Sequence, residues 1–231
     1  MNALEPFGEE IWIADGAPVV SAGFCYSTRM AVLRLEDGGL LLWSPVALNQ
    51  TLRAAIDALG PVRFLVTPTA MHYLALPDWR AAYPNAKLYG APGAAARAQH
   101  IAFDAELSDA AEPAWAGQID QVLMRGNLIA TEAVFFHRKS GAVLIADLLQ
   151  NFPQGWFKGM QAWVARMDGM VGETARTPQK FRAAHVGRKA GRAALARVLA
   201  WPAQSVVMAH GTPVREEGAA FLARAFTWLG P

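Results

Sequence analysis

Short apolar runs alternate with polar turn residues over the first 45 positions of the chain. The apolar runs occupy residues 11–13, 19–26, 30–35 and 40–43. Between them stand residue types that favour turns, namely Asp15 with Gly16, Ser27 with Thr28, and Asp37 with two glycines. Runs of this length with such boundaries are typical of β-strands joined by tight turns. The pattern therefore predicts an antiparallel meander.

After residue 48 the spacing of hydrophobic residues alternates between the pattern of amphipathic helices and that of short buried strands. Asn49 is a helix-capping residue type, and Leu52 and Ile56 follow it one helical turn apart. We predict helices at residues 49–59, 76–83 and 92–99 and buried strands at residues 62–66 and 86–89. Residues 104–117 are acidic and rich in turn-forming residues.

The second half of the chain also begins with strands and ends with helices. Apolar runs predict strands at residues 119–124, 132–136 and 142–146, the last two forming a hairpin with its tip at residues 137–141. From residue 156 onward the pattern is helical, with interruptions at Gly187 and Gly191, a buried strand at residues 205–208 and a final helix at residues 215–228. Both strand sets are apolar enough to be covered on both faces. We therefore predict an α/β fold with two helix-covered sheets, in a single domain of residues 1–231 without linker or repeat.

The composition is that of a globular protein and narrows the chemistry available to it. Of 231 residues, 53% are hydrophobic and 17% are charged, and no apolar run is long enough to predict a membrane span. The first six residues lack the form of a secretory signal, which predicts a cytoplasmic protein. Cys25 is the only cysteine, which excludes an internal disulfide and a multi-thiolate metal site. Any metal would need histidine and carboxylate ligands.

Charge is distributed unevenly along the chain. Residues 1–150 carry a net charge of −5 and residues 151–231 one of +7. No acid lies between Thr174 and Val214, a stretch that contains Arg176, Lys180, Arg182, Arg188, Lys189, Arg192 and Arg197. We interpret it as a solvated helix face whose buried side is Leu195, Val198 and Leu199. Binding of an anionic ligand or of nucleic acid is the alternative, and the latter is disfavoured because no aromatic residues alternate with the basic ones.

Three residues with metal-binding side chains follow predicted strands. His72 comes a few residues after the strand at 62–66, Asp147 ends the strand at 142–146, and His210 follows the strand at 205–208. Loops at strand ends are where open sheets place their chemistry. Two imidazoles and one carboxylate form a three-ligand set for Zn²⁺, Fe²⁺ or Mn²⁺ with a position left for water. The alternative is that these residues are hydrogen-bonded structural groups.

The motifs around these residues resemble those of the metallo-β-lactamase superfamily. The resemblance rests on residues 67–73, on Ala146-Asp147 and on residues 209–213, and it extends over most of the chain. More narrowly, residues 67–73, 79–89 and 135–148 resemble an uncharacterised branch, the domain of unknown function 4336. The resemblance implies a four-layer αββα sandwich made of two halves, each with strands and helices. It implies no particular substrate.

The chain departs from the superfamily's Thr-His-x-His-x-Asp-His motif. Aligned from Thr67, it has Pro68 and Ala70 at the first two histidine positions. His72 then takes the aspartate position, and Tyr73 takes that of the last histidine. Because proline and alanine offer no side-chain donor, the first metal site of the superfamily cannot form.

Two further motifs differ as well. The next metal-binding histidine falls at Asn127, and the Asp-x-Gly that usually ends an early strand is replaced by residues 44–46, Ser-Pro-Val. His72, Asp147 and His210 remain, and they match the residues around the second metal of the superfamily. The resemblance thus implies a degenerate centre with at most one Zn, Fe or Mn ion.

Two functions are consistent with these observations. The first is a single-metal hydrolase in which Tyr73 or His137 donates a hydrogen bond to developing charge. The second is a non-catalytic binding or scaffold protein that holds a small anionic ligand in the old cleft or on the basic C-terminal face. The remaining histidines, His100 and His185, are interpreted as surface or helix-end residues. An apolar helix face with Trp156, Phe157, Met160 and Trp163 predicts a possible homodimer contact.

Overall fold

Seven strands form the first sheet, and their order across the sheet follows their order along the chain. The computed structural model describes residues 4–21, 23–171 and 176–230. The strands are β1 (Glu5–Gly8), β2 (Ile11–Ser21), β3 (Phe24–Arg34), β4 (Leu40–Trp43), β5 (Val62–Thr67), β6 (Lys87–Gly90) and β7 (Ala105–Glu106). Strands β1 to β4 pair antiparallel, which confirms the meander, and β4 to β7 pair in parallel.

The long hairpin of β2 and β3 differs from the prediction. The sequence pattern predicts turns at Asp15-Gly16 and at Ser27-Thr28, but both pairs lie inside strands. The register shifts between Gly16 and Val19, and a Cβ at Gly16 would lie 2.7 Å from the Val46 side chain. Gly16 is therefore a position of close packing in a bulged strand rather than a turn. The predicted strand at 19–26 spans the hairpin's end, where residue 22 lies outside the described residues.

Four strands form the second sheet in the order β11-β10-β9-β8. They are β8 (Ile119–Met124), β9 (Glu132–His137), β10 (Ala142–Ile145) and β11 (Ser205–Met208). The predicted hairpin of β9 and β10 is confirmed, and β10 pairs in parallel with β11. Because β10 and β11 are parallel, their carboxyl ends meet at one edge of the sheet.

Helices cover the outer face of each sheet. The helices of the described residues are α1 (Gln50–Asp57), α2 (Leu76–Ala82), α3 (Ala94–Arg97), α4 (Gly159–Met167), α5 (Gln179–Ala183), α6 (Arg188–Leu199) and α7 (Gly218–Ala225). Helix α4 does not join these outer layers, because its Ala165 packs in a separate cluster with Tyr26 and Phe152. Leu52 of α1 and Trp79 of α2 pack in the cluster on the first sheet. Phe181 of α5, Leu195 of α6 and Leu222 of α7 pack in the cluster on the second sheet. The last helix begins at Gly218 and not at residue 215.

A third cluster fills the space between the two sheets. It combines Trp43 and Val66 of the first sheet with Phe135 and Leu144 of the second, and Trp115 joins them. These five side chains are at most 1% exposed. With helices outside both sheets, the order of layers is helix, sheet, sheet, helix, which confirms the predicted four-layer αββα sandwich.

Several arginines of the basic stretch are engaged in contacts within the folded chain. Arg188 and Arg192 donate hydrogen bonds to the carbonyls of Trp228 and Leu229, and Arg197 pairs with Asp109. Leu199, predicted to be buried, is 40% exposed because it is the last residue of α6. Thr174, at the start of the stretch, lies outside the described residues.

Gly191 does not interrupt a helix as predicted but lies within α6. A Cβ there would lie 2.0 Å from His185 Nε2, so only glycine leaves room for that ring. None of the helices in residues 4–21, 23–171 and 176–230 combines the length and apolar character needed to cross a membrane.

Candidate metal centre

Three loops from two sheets deliver histidine and aspartate side chains to one place. His72 follows β5 of the first sheet, whereas Asp147 and His210 follow β10 and β11 of the second. One ligand atom from each of the three residues lies within 4.8 Å of the other two. The structure thus brings together the three residues that the sequence analysis selected.

The distances between these atoms suit a small metal ion. His72 Nε2 lies 3.4 Å from Asp147 Oδ2, and His210 Nε2 lies 3.4 Å from Asp147 Oδ1. Zinc-to-ligand bonds of roughly 2.0–2.1 Å in a tetrahedron place two ligand atoms about 3.4 Å apart, and each imidazole lies at this distance from a different oxygen of Asp147. Asp147 and His210 are each 6% exposed, so water competes little for them.

The outer nitrogen of each imidazole has a hydrogen-bond partner. His210 Nδ1 lies 2.6 Å from the carbonyl oxygen of Ser27. Because a carbonyl only accepts, the proton at this contact belongs to Nδ1 of His210, and Nε2 is the nitrogen that faces Asp147. His72 Nδ1 lies 2.8 Å from Ser44 Oγ, which can accept in the same way. Outer-shell partners of this kind orient histidine ligands in metal sites.

The loop that carries His210 is held from the β2–β3 hairpin. Ser27 Oγ accepts a hydrogen bond from the Gly211 N–H at 2.7 Å. Arg29 donates to the carbonyls of Met208 at 2.9 Å and Gly211 at 2.5 Å. Gly211 has a φ of +86°, and a Cβ there would lie 2.2 Å from the carbonyl oxygen of Asn151. Only glycine fits this position, next to His210.

Two threonines hold the loop that carries His72. Thr67 Oγ1 lies 2.8 Å from the carbonyl of Thr69 and 2.9 Å from that of His72. Thr69 Oγ1 donates to Asp147 Oδ2 at 2.7 Å. The loop is therefore fixed by hydroxyl groups on either side of Pro68, where the superfamily has a histidine.

Asn127, at the other lost histidine position, has a structural role. Its Nδ2 donates to the Phe181 carbonyl at 2.7 Å, and its Oδ1 accepts from the Ile129 N–H. Both ends of the amide are thus occupied by backbone groups.

Glu132 is a buried residue of the site that the sequence analysis missed. Its Oε1 accepts from the Ala146 N–H at 2.5 Å, and its Oε2 accepts from the N–H groups of Asp147 and Leu148 at 2.9 Å. The residue is 1% exposed. The signal in the sequence is an acid at the start of an apolar strand, since a buried carboxylate needs such partners.

Burial and neighbouring charge act together on the titratable groups. Burial opposes ionisation of Asp147, but His72 and His210 outweigh it and hold the pKa of this carboxyl well below its usual range. Burial likewise disfavours charge on His72, and Asp147 more than offsets this and raises the pKa of His72. Burial and the charge of Asp147 raise the pKa of Glu132 to about 7, although three backbone N–H groups oppose the shift.

The three candidate ligands line a cavity of about 450 Å³. Tyr73 also lines it, and its ring centroid lies 6.2 Å from that of His100. Lys180, from the basic stretch, also lines the cavity, as does Tyr26. The cavity gives solvent and small molecules access to the site.

The other histidines are not brought to this site. His137 lies at the far end of β9 from Glu132, is 2% exposed, and has its Nδ1 2.8 Å from Ser140 Oγ. The geometry does not support the predicted catalytic role of His137, because the tip of the β9–β10 hairpin lies at the end of the sheet away from Asp147 and does not fold back over the site. His185 follows the end of α5, as one of its two predicted positions requires, but it is 4% exposed and packs against Trp228, so it is not a surface residue.

Comparisons with known sequences identify one family. The profile described as "Domain of unknown function (DUF4336)" matches residues 9–167. A search of curated proteins gives no match.

Comparisons with solved structures find the same fold in several proteins. A metallo-beta-lactamase from Pontibacter korlensis is 15% identical with a TM-score of 0.65, and 99% of each chain is covered. The metallo-beta-lactamase FIM-1 from Pseudomonas aeruginosa, in a mono-zinc form, is 14% identical with a TM-score of 0.65 over 100% of this chain and 97% of that one. The Flv1 flavodiiron core from Synechocystis sp. PCC6803 is 13% identical with a TM-score of 0.67, over 99% of this chain and 60% of that one. Identities this low establish a shared fold only.

Proposed function

The chain belongs to the DUF4336 family and has the metallo-β-lactamase fold, and from this premise we propose that it is a hydrolase dependent on one divalent metal ion. His72, Asp147 and His210 would hold the ion. The observation that carries the proposal is the convergence of their three ligand atoms within 4.8 Å. The mono-zinc FIM-1 structure and the metal-soaked Flv1 core support it by analogy of fold, since their sequences are 14% and 13% identical to this chain.

The charges of the site support a bound cation. Asp147 and Glu132 are both buried carboxylates, and His72 and His210 are the imidazoles beside Asp147. A buried carboxylate is costly unless a positive charge or a metal compensates for it. A divalent ion would compensate for this charge while leaving both imidazoles neutral, the form in which histidine binds metals.

The ligand types favour zinc, iron or manganese. Two imidazoles and one carboxylate are a common ligand set for these ions, and calcium or magnesium would need more oxygen ligands. A metal bound here would supply Lewis-acid chemistry by acidifying water and polarising a carbonyl or phosphoryl oxygen. The described residues do not supply a second complete ligand set, because Pro68, Ala70 and Asn127 replace the superfamily's histidines.

Other residues of the chain would hold the metal ligands in place and contact the substrate. Ser44 and the Ser27 carbonyl hold the imidazoles, and Thr69 together with Glu132 holds Asp147. Tyr73 lines the cavity and is the hydroxyl that we assign to donate a hydrogen bond to a substrate oxygen. Burial of Asp147 and His210 excludes water from all but the cavity side of the site.

The proposal is tested by metal analysis of three proteins purified without chelator or added metal. We expect the wild-type chain to contain or take up about one equivalent of zinc, iron or manganese. The His210→Ala variant should lose this metal because one of three ligands is gone. The His100→Ala variant removes an exposed histidine and should retain the metal.

Hydrolysis is then measured with the metal-loaded proteins on a panel of esters, thioesters, lactams and phosphodiesters. Turnover that a chelator abolishes, and that the His210→Ala variant lacks, would support the proposal. A wild-type chain that takes up no zinc when zinc is offered would overturn it. That result would favour the alternative, a non-catalytic binding protein, which the substitutions at residues 68, 70 and 127 also permit.

A further inference from the structure

Lys180 places a positive charge in the wall of the cavity. It lies on α5, and its Nζ donates a hydrogen bond to the Tyr26 hydroxyl at 2.9 Å. The same Nζ lies 5.2 Å from the centroid of the Tyr26 ring and 5.5 Å from that of Phe181. Lys180 is exposed to solvent, and these contacts hold its ammonium group beside the ring of Tyr26, which also lines the cavity.

The ammonium group is only one aromatic ring away from the candidate metal ligands. The Tyr26 ring packs on the other side against His210, with 5.6 Å between ring centroids. Lys180 and His210 both line the cavity and both contact Tyr26, so a ligand that extends past the Tyr26 ring would contact both the ammonium group and the candidate metal ligands.

The hydroxyl of Tyr26 is neutral and cannot compensate for this charge. Within residues 4–21, 23–171 and 176–230, Tyr26 provides the hydrogen bond to the Lys180 ammonium, and no ion pair to Lys180 is formed. The cavity's other cation, Arg97, shares the wall with the carboxylate of Asp78. Among the groups that line the cavity, Lys180 is therefore the one best suited to form an ion pair with an anionic group of a ligand.

Much of the remaining wall is apolar. Val19, Val20, Met71, Leu74 and Phe181 line the cavity. Val20 is 75% exposed and Leu74 is 69% exposed, so apolar surface also lies at the mouth. Such a lining favours a ligand with an apolar body and few polar groups.

We propose that Lys180 is the anion-binding residue of this cavity and that the substrate is an organic anion with an apolar body. The statement about substrate rests on the proposed hydrolase function, whereas the statement about anion binding does not need a bound metal. The anionic group of the substrate would contact the ammonium of Lys180. The bond to be hydrolysed would then lie toward His72, Asp147 and His210.

The test uses two fluorescent probes that share an apolar body and differ in charge. They are 8-anilinonaphthalene-1-sulfonate, which is an anion, and N-phenyl-1-naphthylamine, which is neutral. Both are titrated into metal-free protein, so that a bound cation does not contribute to anion binding. The variants are Lys180→Gln and, as a charge-matched control, Lys189→Gln on the exposed face of α6.

We expect the Lys180→Gln substitution to weaken binding of the sulfonate about tenfold, because it removes a charge-assisted contact. Binding of the neutral probe should not change, and Lys189→Gln should leave both probes unaffected. A sulfonate affinity that is unchanged by Lys180→Gln, or changed equally by Lys189→Gln, would overturn the proposal. So would equal weakening of both probes, which would show that Lys180 only maintains the cavity, or a wild-type chain that does not bind the sulfonate.

The statement about substrate is tested with the metal-loaded protein. The pair 4-acetoxybenzoate and its methyl ester carry the same acetyl ester and differ at the remote carboxyl group, which is an anion in the first and a neutral methyl ester in the second, and release of acetate is measured for both. Lys180→Gln should raise the KM of the charged ester several-fold and leave that of the neutral ester unchanged. Equal KM values for the two esters in the wild-type protein would contradict the preference for an anion. If the chain takes up no metal, the proposed function fails while the probe titrations still decide whether Lys180 binds anions.

Discussion

At the scale of single residues, Glu132 is the group on which the geometry of Asp147 depends most. It replaces water for three consecutive backbone N–H groups, at residues 146, 147 and 148. A buried carboxylate that accepts this many hydrogen bonds fixes the backbone, and here that backbone carries a candidate metal ligand. Glu132 is thus a positioning residue that touches neither the cavity nor a ligand atom.

We expect the Glu132→Gln substitution to weaken zinc binding about tenfold, as is typical when an outer-shell partner is changed. The amide has one acceptor oxygen and an NH₂ group that only donates, so this NH₂ group would face a backbone N–H. The resulting unsatisfied group should also lower the free energy of unfolding by about 2 kcal/mol. Zinc affinity is measured by competition with a chromophoric chelator, and stability is measured by urea denaturation.

Glu106→Gln, on the exposed edge strand β7, is the matched control for Glu132→Gln. It should change neither quantity. A Glu132→Gln variant that is destabilised but binds zinc like the wild type would show that Glu132 supports the fold without positioning Asp147.

The candidate ligands could be predicted from the sequence because each follows an apolar strand, and the ends of parallel strands share an edge. Their partners could not be predicted in this way. The contacts of His210 with Ser27 and of His72 with Ser44 join positions 183 and 28 residues apart. No periodicity links such positions, since their proximity depends on how the two sheets pack. Glu132 was missed for a different reason, because its three partners lie just past the end of β10 in its own hairpin, and an acid in an apolar strand does not by itself indicate which backbone groups it will contact.

At the scale of elements, the β9–β10 hairpin explains why a sequence-based prediction failed. His137 was assigned to a hairpin tip that was expected to reach the site, whereas it is the last residue of β9. All six residues of β9 are buried, so the imidazole lies inside the protein at the end opposite Glu132. The turn residues at 137–141 predicted the hairpin correctly. They did not indicate whether its tip lies at the same end of the sheet as the candidate metal ligands.

The buried position of His137 predicts a specific loss of stability in acid. Burial lowers the pKa of His137 to about 4 from an ordinary value of 6.5. Between these values the unfolded chain binds more protons than the folded chain, so stability falls as pH decreases from 6.5 towards 4. We expect the wild type to lose about 2 kcal/mol more than a His137→Asn variant between pH 7 and pH 4.5.

Asparagine keeps a polar atom near Ser140 but does not titrate, so this pair of proteins isolates the imidazole. Urea denaturation at several pH values gives the free energies of unfolding. Other titrating groups contribute equally to both proteins and cancel in the difference. Parallel pH profiles for the two proteins would show that protonation of His137 does not oppose folding.

At the scale of the whole molecule, the candidate metal centre joins the two halves of the sandwich. His72 belongs to the half built on the first sheet, and Asp147 and His210 belong to the half built on the second. The shared core of Trp43, Trp115 and Phe135 already holds the sheets together. A metal ion bound by His72, Asp147 and His210 would add a connection between the two sheets at their edge. The contacts there are mainly hydrogen bonds, unlike the apolar contacts of the core.

Zinc should therefore stabilise the whole molecule rather than one loop. A ligand that binds only the folded chain, present at about 1,000 times its Kd, adds about 4 kcal/mol to the free energy of unfolding. For a chain of this size the corresponding rise in Tm is roughly 10 °C. We expect thermal denaturation of metal-free protein to show this shift on addition of zinc, and a chelator should reverse it.

Two variants show whether zinc stabilises the protein by binding at His72, Asp147 and His210 or by binding elsewhere on the surface. His210→Ala removes the ligand that follows β11 and should abolish the shift, whereas the exposed His100→Ala change should preserve it. Near-ultraviolet circular dichroism, which reports the buried tryptophans between the sheets, should follow the same transition as far-ultraviolet circular dichroism. An equal zinc-induced shift in the His210→Ala variant would mean that the ion does not link the two halves through this site, because one of its three ligands would then be dispensable.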